Sequence, residues 1–173
     1  MRRSARLGSL YTVDDVDAFG LLVAWHPLPR TYYFADISRI RDYDEISPDN
    51  AILIMEHHRL GFDRGNWNVV GTMPNFDASK WPKPTRLAGD DVGLRMAATK
   101  TVNEFGRFDR DVDWRNIGLT MDHQLFGIPF PAIMLRKILE SGDVGAGRIN
   151  FYANPKPDGG EWFKRYKQER GVS

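Results

Sequence analysis

No cysteine occurs in the 173 residues, so disulfide frameworks, thiolate zinc sites and cysteine nucleophiles are excluded together. A cytoplasmic protein is the expectation that follows. Long apolar runs are missing as well. The longest, Phe19–Trp25 and Ala51–Met55, fall far short of the roughly 20 residues that span a bilayer, so no membrane association is expected. The opening Met1-Arg2-Arg3-Ser4-Ala5-Arg6 is basic but leads into no apolar stretch, and a secretory signal is not expected. Net charge is nearly absent too: 24 Lys+Arg stand against 23 Asp+Glu, a formal +1. A protein whose main work is binding phosphate carries a strongly basic footprint, and this one does not.

What is present suits a folded domain. The chain is 42% hydrophobic and 27% charged, and at this length folding removes roughly 70% of the unfolded surface from water without a covalent or metal staple. One domain over 1–173 is expected, with a β-rich half (1–86) and a mixed half (87–173). Strands are expected at Ser9–Val13, Phe19–His26, Thr31–Ile37, Asn50–His57 and Trp67–Val70, each rich in aromatic or β-branched residues and bounded by turn formers. The carboxylates of Asp14-Asp15-Val16-Asp17 favour a turn between the first two. The tract from Pro74 to Pro84 carries three prolines and reads as a connecting loop. Gly93–Glu104 fits strand or helix, and Ile117–Met121 a short strand. Pro131 followed by Ala132–Ser141 and Gly142 predicts a helix whose apolar residues cover most of its circumference. Arg148–Ala153 reads as a strand, and Asp158 with Glu161, Trp162 and Tyr166 as the start of a short terminal helix ending at Gly171.

The chain holds no recognisable catalytic signature. His57 and His58 are adjacent, and side chains of successive strand residues point to opposite faces, so they do not converge on a metal. Asp109, Asp111 and Asp113 open like a calcium loop, but Trp114 and Thr120 stand where the pattern needs Gly and Glu. The glycines of Asp143–Arg148 precede an expected strand, whereas a dinucleotide fingerprint follows one. No catalytic residues, metal or cofactor are assigned on this basis, and the protein is expected not to be an enzyme.

Charge is unevenly placed. Residues 21–80 hold eight acids against six bases, and residues 129–173 hold eight bases against five acids. Asp42-Tyr43-Asp44-Glu45, with Asp49 beyond, gathers negative charge beside an aromatic ring, a composition that can pair with a basic partner and anchor it. The same stretch is also compatible with a solvated loop between strands.

Around Trp67-Asn68-Val69-Val70-Gly71-Thr72-Met73-Pro74 the sequence resembles the bacterial immunity protein 26 family. The similarity extends to Arg6-Leu7-Gly8-Ser9-Leu10-Tyr11-Thr12-Val13, to Phe19-Gly20-Leu21-Leu22-Val23 and to Pro82–Pro84, in the same order, and it covers roughly residues 6–86. Such a resemblance implies a cytoplasmic antidote that binds and silences a cognate toxin protein, commonly a nuclease. It brings no catalytic residues. Trp67 is expected in the core, and Trp81, held in the proline loop, at the interface together with Asp42, Tyr43, Asp44, Glu45 and Asp49.

The sequence therefore predicts an α+β domain. Its N-terminal antiparallel sheet is bent strongly enough to approach a barrel, and a buried helix, a strand and a short C-terminal helix follow. The expected function is a non-catalytic immunity protein. Two alternatives are a small nucleic-acid-binding module stacking bases on Tyr32, Tyr33 and Phe34, with Lys164, Arg165, Lys167 and Arg170 on phosphate, and a hydrolase using the carboxylates of Asp109–Asp113.

Overall fold

The computed structural model describes residues 4–88, 100–102, 108–111, 118–122, 127–148 and 156–173. Its first half grows from a hairpin. β1 (Ser9–Val13) and β2 (Ala18–Ala24) are antiparallel, and the turn between them places Asp14 at a left-handed φ of 47°, which Asp tolerates better than most residues. β3 (Arg30–Ala35) pairs with β2, and β4 (Leu53–Glu56) pairs with β3. One helical turn, α1 (Leu60–Asp63), leads into β5 (Trp67–Thr72), which returns to the free side of β1. The order is β4-β3-β2-β1-β5. All five expected strands are present, but edges β4 and β5 do not pair with each other, so the sheet stays open and no barrel closes.

A second sheet comprises β6 (Thr85–Ala88), β7 (Lys100–Val102), β8 (Phe108–Asp111) and β9 (Thr120–Asp122). Its order is β8-β7-β6-β9, with β6 and β9 parallel. β7 is a strand within the ambiguous Gly93–Glu104, whose other residues lie outside the described ones, and β9 overlaps the strand expected at Ile117–Met121, of which Ile117 is likewise outside. The strand expected at Arg148–Ala153 lies outside the described residues beyond Arg148.

Both faces of β1 to β4 are covered, which is why those strands read as nearly continuous apolar runs, whereas the edge strand β5 buries only Trp67. Tyr11, Val13, Leu22, Tyr33, Leu53 and Met55 face a cluster completed by Ala132, Leu135 and Ile138 of α2 (Phe130–Ser141). Leu10, Phe19, Leu21, Tyr32, Phe34 and Ile54 face the other way, toward Trp81, Met121 and Trp162. Gly142 ends α2 at a left-handed φ of 69°, its N–H returning to the Ile138 carbonyl. The helix buries one face only, since Phe130 and Ile133 are each 40% exposed. Apolar residues do cover most of its circumference, and these two members of that surface face outward.

The terminal helix α3 (Gly160–Arg170) serves both clusters. Trp162 enters one, and Phe163 and Tyr166 enter the other. Its indole N–H donates to the Ala35 carbonyl at 2.8 Å, and an Asp158 carboxylate oxygen accepts from the Gly160 N–H at the helix start.

A buried ion triad joins the two sheets. Glu56 at the end of β4 accepts from Arg30 of β3 at 2.9 Å and from Arg86 of β6 at 2.6 Å. Two arginines around one carboxylate satisfy its oxygens where water cannot.

Candidate functional site

The strand alternation that aims Leu53 and Met55 at the first cluster carries on to His57, and His57 has no exposed surface while His58 is exposed. Three hydroxyls meet it. Tyr11 donates to Thr31 Oγ1 at 2.8 Å, Thr31 Oγ1 lies 2.9 Å from His57 Nε2, and the Tyr33 hydroxyl is 3.0 Å from that of Tyr11. His57 Nδ1 lies 3.1 Å from the His58 carbonyl. A carbonyl only accepts, so Nδ1 carries the proton and Nε2 receives one from Thr31. The chain of donors then runs in one direction, from Tyr33 to Tyr11, to Thr31, to His57, to the His58 carbonyl. Burial holds His57 down to a pKa of about 4, and burial also pushes the Tyr11 and Tyr33 phenols above their usual range. Every member is neutral at pH 7.

Gly20 makes room for this chain. A Cβ there would sit 2.7 Å from the Tyr11 ring and 2.8 Å from the Thr31 methyl. Trp67 is buried as expected, in edge contact with His57 at 4.5 Å and with Phe62 at 5.0 Å between ring centroids. Its indole N–H is buried and has no acceptor among the described residues.

In front of these residues lies a pocket of about 790 Å³, lined by Trp25, Phe62, Trp67 and Val69 and by the Pro27–Pro29 loop. The charged Arg59 and Asp63 at its wall neutralise each other in an ion pair at 3.1 Å. Sequence reasoning missed the pocket because it is assembled from four separate segments. The hydroxyls of the hydrogen-bonded chain are spent on each other, so they offer a pocket occupant no activated nucleophile. Among the described residues no group of three or more His, Asp or Glu is placed to hold a metal ion.

None of the acidic residues singled out in the sequence lines this pocket. They lie together on the connection between β3 and β4. Asp42, Asp44 and Asp49 are exposed, and their carboxylates enter no ion pair among the described residues. Tyr43 is half-buried against the second cluster. Glu45 is held from α3 by Arg165, and its carbonyl accepts from the Asn50 side chain at 2.9 Å. The turn is thus fastened at Tyr43 and Glu45 while three carboxylates face solvent.

Trp81 does not join them. It is 8% exposed, edge-on to Tyr32 at 4.9 Å and to Phe34 at 6.3 Å, and the Tyr32 hydroxyl donates to the Pro82 carbonyl. The proline loop folds inward because that face of the sheet offers aromatic surface to a large ring. Tyr32, Tyr33 and Phe34 have no exposed surface either, so no base can stack on them in the folded protein. Lys164 pairs with Glu161 and Arg170 with Asp17 along α3, and Lys167 lies over the Phe163 ring. Asp109 and Asp111 belong to β8, and Asp113 lies outside the described residues.

Searches against family models, curated proteins and solved structures find no match to this chain. No helix among the described residues is long and apolar enough to cross a membrane.

Proposed function

We propose that the protein acts by recognition and not by turnover, as an immunity-type factor that docks onto a basic surface of a cognate toxin domain and occludes it. The observation that carries this reading is the acidic turn: Asp42, Asp44 and Asp49 are exposed, with no ion pair among the described residues, around a turn anchored by Tyr43 and by the pairing of Glu45 with Arg165. Rigid presentation lowers the ordering cost of an interface. Uncompensated charge of one sign steers a partner of the opposite sign and sets its orientation. The short tracts that resemble the immunity family, in β1, β2, β5 and the proline loop, support the reading from the sequence side. In this structure those tracts build the scaffold, leaving the connecting turns to carry specificity.

The test is calorimetry of the purified chain against a toxin domain encoded beside its gene, with the toxin's own activity followed in parallel. A one-to-one complex that abolishes the activity is expected. Absence of any complex overturns the reading.

A further inference from the structure

The pocket in front of β5 is a separate feature from the acidic turn, none of whose carboxylates lines it. Its volume, about 790 Å³, falls in the range of roughly 300–1,000 Å³ typical of small-molecule sites. Its walls are drawn from residues 4–5, 25–29, 57–65 and 67–69.

The cavity offers aromatic surface that a ligand can reach. Ala5, Trp25, Phe62 and Val69 pack against the first core cluster with part of their surface left exposed, and all four line the pocket. Trp25 and Phe62 meet edge-on, their ring centroids 6.0 Å apart and their planes at 68°. Two rings so placed make a corner, in which a third ring can lie flat against one and edge-on to the other. Those are the two arrangements that aromatic quadrupoles favour, and a saturated ring of the same size gains neither. Trp67, only 2% exposed, supports Phe62 edge-on at 5.0 Å and offers a ligand little surface of its own.

The charges in the lining restrict what fits. Besides its histidines the pocket wall carries one cation and one anion, Arg59 and Asp63, and these pair with each other at 3.1 Å. A charged ligand would give up water for a wall whose opposite charges already answer each other, which is costly, whereas an uncharged ring has no such cost. His26 and His58 stand exposed in the lining, and measurement at pH 8 removes histidine charge from the comparison.

We propose that this pocket binds an uncharged aromatic small molecule, its ring seated in the corner between Trp25 and Phe62 and against Val69. The cavity is large enough to take the whole of such a molecule, so the occupant is a free molecule and not a ring borne on a polypeptide. The probes at pH 8 are 2-naphthol, which is uncharged; decahydro-2-naphthol, with the same skeleton and hydroxyl but saturated rings; the charged 2-naphthoate and N-methylquinolinium; and a capped Gly-Trp-Gly peptide. Binding to the full chain is followed through the Trp25 indole and Val69 methyl resonances.

Saturable 2-naphthol binding is expected, with those two residues among the most shifted. Its affinity should be at least tenfold above that of either charged probe and several-fold above that of decahydro-2-naphthol and of the peptide. Trp25→Leu keeps apolar bulk and removes one wall of the corner, so it should bring 2-naphthol down to the level of the saturated alcohol. Should that variant fail to fold, the ranking of the five probes on the unaltered protein decides alone. No saturable 2-naphthol binding, a charged probe, the saturated alcohol or the peptide binding as tightly, or unmoved Trp25 and Val69 resonances would each overturn the proposal. No toxin enters the experiment, so its outcome is independent of the immunity reading.

Discussion

His57 couples the stability of the fold to pH. Unfolded, it titrates near the ordinary histidine value of about 6.5, whereas burial lowers it to about 4 in the folded protein. The unfolded chain therefore binds the proton more readily between those values. The stabilisation from keeping His57 neutral is complete above pH 6.5 and is lost as pH falls through that window, by up to about 3 kcal/mol. Urea unfolding at pH 7.5, 6 and 4.5 should show this decline, and a His57→Gln variant should show a smaller one; parallel declines would contradict the assignment. Trp81 offers a second check. As a core ring against Tyr32 and Phe34, its replacement by Ala should cost about 3–5 kcal/mol in the same assay, whereas an exposed interface residue would cost about 0.5 kcal/mol or less. The sequence separates His57 from His58 by face without saying which turns inward, and the structure shows that His57 follows Leu53 and Met55 at the strand period. The direction of Trp81 was not legible: a loop with three prolines has no period from which to read a face.

Elements were easier to read than their partners. The β1 to β4 tracts stand out because two-sided burial demands apolar residues at nearly every position, and α2 because Gly142 punctuates its end. Pairing was hidden. Nothing local in Arg30, Glu56 or Arg86 says that they meet, because the triad joins two sheets across long stretches of sequence. Its energetic role is testable. Glu56→Ala leaves Arg30 and Arg86 buried without their shared carboxylate and should cost about 3–5 kcal/mol in chemical denaturation. A change within experimental error would mean that the two sheets are held together by apolar contact alone. The pocket escaped the sequence for the same reason as the triad, since Trp25, His57, Phe62 and Trp67 come from the ends of different elements. The exposed acids between β3 and β4 were legible as a charged connection. That Glu45 would be tied to Arg165 of α3 was not.

At the scale of the whole molecule, near-zero net charge conceals a local field. Three unpaired carboxylates on one anchored turn attract a basic partner from a distance even when the chain as a whole barely does, because screening confines the sum to about 8 Å at physiological salt. The interior carries the stability, through two aromatic clusters and the Glu56 triad, and the exposed carboxylates of Asp42, Asp44 and Asp49 lie outside both. Recognition can therefore be altered without loss of fold: an Asp42→Lys, Asp44→Lys, Asp49→Lys variant should unfold within about 0.5 kcal/mol per site of the original protein. The most direct measurement is stopped-flow association of that variant and the unaltered chain with the toxin domain encoded beside the gene, at low and at physiological salt. The account predicts an association rate at least tenfold slower for the variant at low salt, a difference that shrinks as salt rises, and a dissociation rate changed by much less. Equal association rates for the two proteins, or no association by either, would contradict it.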